Sequence, residues 1–134
     1  MKSKNNRRRL LKPALVTGLK HWHLRPGADF YPKRNFQSVV ADGIPDGADV
    51  IFLFGEIDCR PDEGFISAAY KLEKPIEDLI TSTVEGYLSW FGKENTTKNH
   101  KIYILNVPAP IYNKKYSAEV NTTVVNTIKL FNHA

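Results

Sequence analysis

The sequence predicts an α/β fold: a parallel sheet with helices packed on its faces. Three observations carry this. Residues 50–54 (VIFLF) form an unbroken apolar run without alternation, the pattern of a strand covered on both sides. A second β-prone run, residues 101–108 (KIYILNVP), follows a segment with helical periodicity at residues 74–91. Another helical segment, residues 117–132, comes after it. Strand, helix, strand and helix in that order make a βαβα unit, and a helical crossover of this length joins parallel neighbours.

Each element has its own signal. The segment at residues 13–18 (PALVTG) is β-prone and ends in glycine, so a short strand is expected there. Residues 19–35 are punctuated by Pro26, Gly27 and Pro32 and read as loop. Residues 35–43 suit a short helix, and IPDGAD after them suits a turn. Residues 63–74 (EGFISAAYKLEK) carry a short helix or an ordered loop. The clearest helix starts near Pro75, where Glu77 and Asp78 complement the positive end of the helix dipole. Ile76, Leu79, Ile80, Val84, Tyr87, Leu88 and Phe91 share one face, and Gly92 supplies a stop. Pro108 and Pro110 close the second strand. In the last helix Val120, Val124, Ile128 and Phe131 make an apolar stripe.

Composition bounds the function. A chain of 134 residues fits one domain, and 42% apolar with 25% charged residues excludes disorder and fibrous repeats. No apolar run reaches the roughly 18–20 residues of a membrane helix. Lys12, Pro13 and Lys20 interrupt any signal-like apolar stretch, although the Arg-rich, acid-free start also resembles a transit peptide. The net charge of +5 is uneven: Lys2, Lys4, Arg7, Arg8, Arg9 and Lys12 precede every acid, leaving 13 basic against 14 acidic residues in 13–134. Residues 1–12 thus read as a basic disordered tail, and residues 13–134 as a single domain. The tail is either a solvated terminus or a contact for nucleic acid or anionic lipid. Cys59 stands alone, so no internal disulfide forms, and a cytoplasmic setting is the simplest expectation. Asn95-Thr-Thr and Asn121-Thr-Thr match the glycosylation acceptor, which carries little weight without a signal peptide.

Chemistry concentrates after the first long strand. In an open α/β sheet the ligand crevice lies outside the carboxyl ends of the strands. There the chain turns at Gly55 and presents Glu56, Asp58, Cys59 and Arg60, while Asn106 leaves the end of the next strand. Glu56 and Asp58 could act as a general acid/base pair; alternatively Asp58 caps the following turn and Glu56 pairs with Arg60. Cys59 could be a nucleophile whose thiol Arg60 acidifies, or a small core residue. His21 and His23 flank Trp22 in an H-x-H pair that could ligate metal, but no third ligand stands at telling spacing. No Walker loop, GxGxxG or HExxH occurs, so no metal or cofactor is expected.

The run VIFLFGEIDCR, followed by GFISAAYKLEKPIEDLITSTVEGYLSWF and KIYILNVPAP, resembles the middle of a subgroup of SGNH (GDSL-like) hydrolase domains. PGADFY resembles the family's second glycine block, and TVVNTIKLFNHA the helix before its final strand. The likeness covers about residues 26–134. It implies a three-layer α/β/α sandwich of the flavodoxin-like kind with a parallel sheet. It also implies an esterase or acyl hydrolase acting on esters or acylated carbohydrates. Carried over, Gly27 becomes an oxyanion amide donor, and Gly55 opens block three with Ile57 at the position of the oxyanion Asn. Glu56 and Asp58 join Gly27 and Gly55 as the candidate catalytic set, and Arg60 and Asn106 are the candidate binding residues.

The departures are specific. Ile57 cannot donate to an oxyanion, a contact worth about 3–4 kcal/mol in the transition state. Gly18-Leu19-Lys20 has no Ser where the nucleophile belongs, and no Asp precedes His133 by three residues. The resemblance therefore implies a domain truncated at both ends, with little or no hydrolase activity alone. A binding domain that retains the pocket and a hydrolase with an atypical set, such as Glu56, Asp58 and a His of residues 21–23, stand as alternatives. Exposed sheet edges would favour a homodimer.

Overall fold

A computed structural model describes residues 10–134. The expected basic tail therefore lies outside the described residues except for its last three, of which Leu10 and Leu11 are exposed. Four α-helices and two strands follow: α1 Tyr31–Gly43, β1 Asp49–Phe52, α2 Phe65–Leu72, α3 Ile76–Lys98, β2 Lys101–Ile104 and α4 Ala118–His133. Two short 3-10 turns, His21–Leu24 and Ile57–Cys59, sit between them. β1 and β2 pair in parallel, with Val50 opposite Ile102 and Phe52 opposite Ile104. The α/β character and parallel pairing match the order of elements in the sequence.

The main core lies on one face of β1. Val50 and Phe52 point into it and meet Phe36 of α1 and Tyr87, Trp90 and Phe91 of α3, with Leu19 and Leu24 from the first 3-10 region. Rings dominate: Phe52 and Phe91 are 4.9 Å apart, and Phe36 lies 5.4 Å from Phe52. Each such side chain contributes about 1.5–3 kcal/mol when fully buried. The opposite face differs from the expectation of a strand covered on both sides. Ile51 is 53% exposed and its cross-strand partner Tyr103 52%.

Several boundaries are corrected. Residues 13–18 form no strand: Pro13 has no N–H to donate, Leu15 faces solvent, and only Val16 reaches the core. The loop expected through Asn35 already contains α1, which begins at Tyr31 with Pro32 in its first turn, where a missing N–H costs nothing. Gly92 does not stop α3. The buried pair Trp90 and Phe91 holds the helix across it, and Asn99, at φ 51°, takes the left-handed ending instead. The Asn95 side chain secures that ending, accepting from His100 N–H and donating to His100 C=O, both at 2.9 Å. β2 ends at Ile104 rather than Pro108. Leu105 N–H makes one last bond to Phe52 C=O at 3.0 Å, and the Asn132 side chain of α4 then takes both main-chain groups of Val107.

A second cluster positions the site. Cys59, Val107 and Ile128 are buried together beyond the carboxyl ends of the strands, with Val124 and Phe131 packed against them. α2 docks through Phe65 onto Leu79 and Ile80 of α3. No helix among the described residues is long and apolar enough to cross a membrane.

Candidate functional site

The strand β1 delivers the chain to Gly55, whose φ of +116° few other residues adopt. A Cβ there would meet Val107 Cγ2 at 2.8 Å and His21 and Phe131 ring carbons at 3.0 Å. The glycine lets three elements close on the end of the strand. Gly64 serves the other side of the same turn, since a side chain there would collide with the Asp58 carbonyl.

Within this turn Asp58 is buried, 1% exposed, and its carboxylate accepts two main-chain bonds. Oδ2 takes His21 N–H at 2.8 Å and Oδ1 takes Trp22 N–H at 3.2 Å. These are the first amides of the His21–Leu24 turn, which have no partner inside it. Asp58 therefore caps a turn, but a distant one rather than the one that follows it. The His21 ring is also buried, with Nδ1 3.4 Å from Asp58 Oδ2 yet without hydrogen-bond geometry. It is enclosed by Phe54, Tyr87 and Phe131, at ring-centre distances of 4.3, 4.7 and 4.9 Å.

Glu56 pairs with Arg60, as one of the two sequence readings held. Arg60 Nε donates to both Glu56 oxygens at 3.0 and 3.1 Å, Nη2 lies 2.9 Å from Oε2, and Nη1 binds Glu63 at 2.6 Å. The bonds to Glu56 and Glu63 hold the guanidinium more firmly protonated, and Arg60 holds the Glu63 carboxyl below its usual range. All three side chains are solvent-accessible, so water screens each pair and its contribution to stability is small. Glu63 was not anticipated; its spacing three residues after Arg60 was the available signal.

The nucleophilic reading of Cys59 is corrected. Burial pushes its thiol up to about 12, and Asp58 and Glu56 push in the same direction. Arg60 gives no counterweight, because its guanidinium faces the two glutamates. Cys59 is a core residue at the floor of a cavity.

That cavity has a volume of about 750 Å³ and lies between the turn at residues 55–63, the segment at residues 108–116 and α4. Glu56, Cys59 and Arg60 form one wall, while Val124, Val125 and Ile128 of α4 face them. Asn121 frames the far side: its amide nitrogen donates to Asn113, Tyr116 and Ser117 carbonyls and its oxygen accepts Asn113 N–H. Both acceptor-like asparagines, Asn95 and Asn121, thus use their amides to shape the backbone. The α4 wall was missed as a site because its apolar stripe reads as core, and Val124, Ile128 and Phe131 do pack there.

The remaining candidates lie elsewhere. Gly27 borders a separate depression with Arg25, Phe30, Ser82 and Gly86, next to the Arg25 guanidinium that covers the Trp22 ring at 3.2 Å. Asn106 is exposed and outside the cavity walls. His23 accepts Lys20 N–H on Nδ1 at 3.2 Å and packs against Phe30; burial and Lys20 push its pKa down. The H-x-H pair is thereby split between two environments, and among the described residues no three His, Cys, Asp or Glu converge to hold a metal ion.

No protein-family model, curated protein or solved structure matches the chain.

Proposed function

We propose that this chain is a degenerate SGNH-type acyl-hydrolase domain that holds a ligand in the cavity beside residues 55–63 and does not hydrolyse it alone. The observation that carries the reading is the use of Asp58. Both of its oxygens are bound to main-chain amides in a buried setting, so the acid of the turn serves architecture. The neighbouring groups support it: Glu56 is paired with Arg60, the Cys59 thiol stays protonated, and residues 18–20 offer no Ser. The ligand class is an ester or acylated carbohydrate. In this reading the Ile51 and Tyr103 face takes a further layer, completing a three-layer α/β/α sandwich.

One observation favours a second reading, a hydrolase with an atypical set: His21 stands beside Asp58. Against it, His21 is 2% exposed and shielded by three rings. A fluorogenic acetyl- and butyryl-ester assay tests both. The expected result is turnover of wild type no greater than that of Asp58→Ala and Glu56→Gln. Turnover abolished in Asp58→Asn and His21→Phe proteins that remain folded would replace the first reading by the second.

A further inference from the structure

We propose that the cavity between the turn at residues 55–63 and α4 receives an uncharged, aliphatic part of its ligand, recognised by shape and apolar contact with α4. The inference rests on the reading of this cavity as the ligand site and specifies what that site selects.

It follows from where Arg60, Asn121 and Thr122 of the walls are already committed. Arg60 spends its guanidinium on Glu56 and Glu63. Asn121 directs its amide to three carbonyls and one N–H of its own wall, and Thr122 Oγ1 donates to Ala118 C=O at 2.9 Å. An anionic ligand would have to displace a glutamate from Arg60 and meet Asp62 at the rim. A cationic ligand would compete with Arg60 for Glu56 and Glu63, leaving only the solvent-exposed Asp62 at the rim, where an ion pair is worth little. The Arg60 pairs are solvent-accessible, so exchanging partners gains a charged ligand little, whereas an uncharged group leaves them in place. Against this, Val124, Val125 and Ile128 present branched side chains across from Pro110 and Ile111. The volume, about 750 Å³, lies inside the range of small-molecule sites.

Displacement of the neutral fluorophore N-phenyl-1-naphthylamine from the whole chain measures this selection. Competitors are hexanol, octanol and decanol, with octanoate and octylammonium as charged counterparts. Expected are tighter displacement with chain length, approaching fourfold per methylene, and octanol stronger than either ion. Val125→Glu and, on the exposed side of the same wall, Thr122→Glu each weaken octanol at least tenfold, with circular dichroism unchanged in at least one. Leu53→Glu, on the exposed sheet face, leaves displacement unaltered. An ion that competes as well as octanol, indifference to chain length, or a signal removed by Leu53→Glu and kept in both α4 variants overturns the inference. Alkanols carry no ester, so the outcome is independent of hydrolysis. Ester turnover beside intact octanol selection would sink the non-hydrolysing reading alone, and absent selection without turnover would sink this inference alone.

Discussion

Asp58 Oδ2 accepts the His21 main-chain N–H at 2.8 Å, across 37 positions of sequence, in a site from which solvent is excluded. The bond ties the turn after β1 to the turn that precedes α1. Removing the acceptor leaves the His21 and Trp22 amides without partners. Asp58→Ala is expected to lose about 2–4 kcal/mol and Asp58→Asn less, since the amide keeps one acceptor. Urea midpoints at unchanged m-value check the order; equal and small losses would contradict the capping role.

Gly55→Ala should destabilise by about 2 kcal/mol or more. The new methyl meets Val107, His21 and Phe131 at 3.0 Å or less, and φ of +116° strains any L-residue. Gly92→Ala is the control, because a Cβ there meets nothing within 4 Å and α3 runs through it. It should stabilise by up to about 1 kcal/mol. Thermal melts of the two variants moving in the same direction would refute the contrast.

Cys59 should resist modification in the folded chain. With the thiol pushed up to about 12, almost no thiolate exists at pH 8. A disulfide reagent such as DTNB is expected to react slowly in native buffer and promptly in urea. Prompt native reaction would show an open, ionised thiol.

Stability should fall above pH 9. The folded state raises the Cys59 thiol from 9.0 and the Tyr87 hydroxyl from 10.0, each to about 12. Between those limits the unfolded chain has released protons that the native chain retains, so the slope of unfolding free energy with pH is negative. Each group contributes about 1 kcal/mol per pH unit at full difference. Denaturation from pH 8 to 11 should show a shallower decline in Cys59→Ala than in wild type, and parallel curves would count against the assignment.

The exposed Ile51, Leu53 and Tyr103 predict self-association. Light scattering should show a mass that rises with concentration, and Tyr103→Glu should suppress the rise. A monodisperse monomer at all concentrations would contradict it.

Local pattern was enough to read the order of elements from β1 onward, their parallel pairing and the polar turn beyond β1, because the strand and helix signals there rest on periodicity or on a residue a few positions away. The unbroken apolar run at residues 50–54 marked β1, and the stripe from Ile76 to Phe91 marked α3. Boundaries resisted where a distant partner outweighed propensity. Burial of Trp90 and Phe91 carried α3 through Gly92, and Asn132 of α4 took the backbone of Val107 where a longer strand was expected.

Roles within the turn resisted for the same reason. Chain order alone determined that Glu56, Asp58, Cys59 and Arg60 would emerge together beside a strand end. Only the tertiary structure decided that Asp58 would face two amides from residues 21 and 22. It decided too that Arg60 would close on Glu56 and Glu63, and that α4 would supply the opposite wall. Composition and spacing list the groups that can ionise or bond. Which partner each one meets, and how much water it keeps, depends on contacts between segments far apart in the chain.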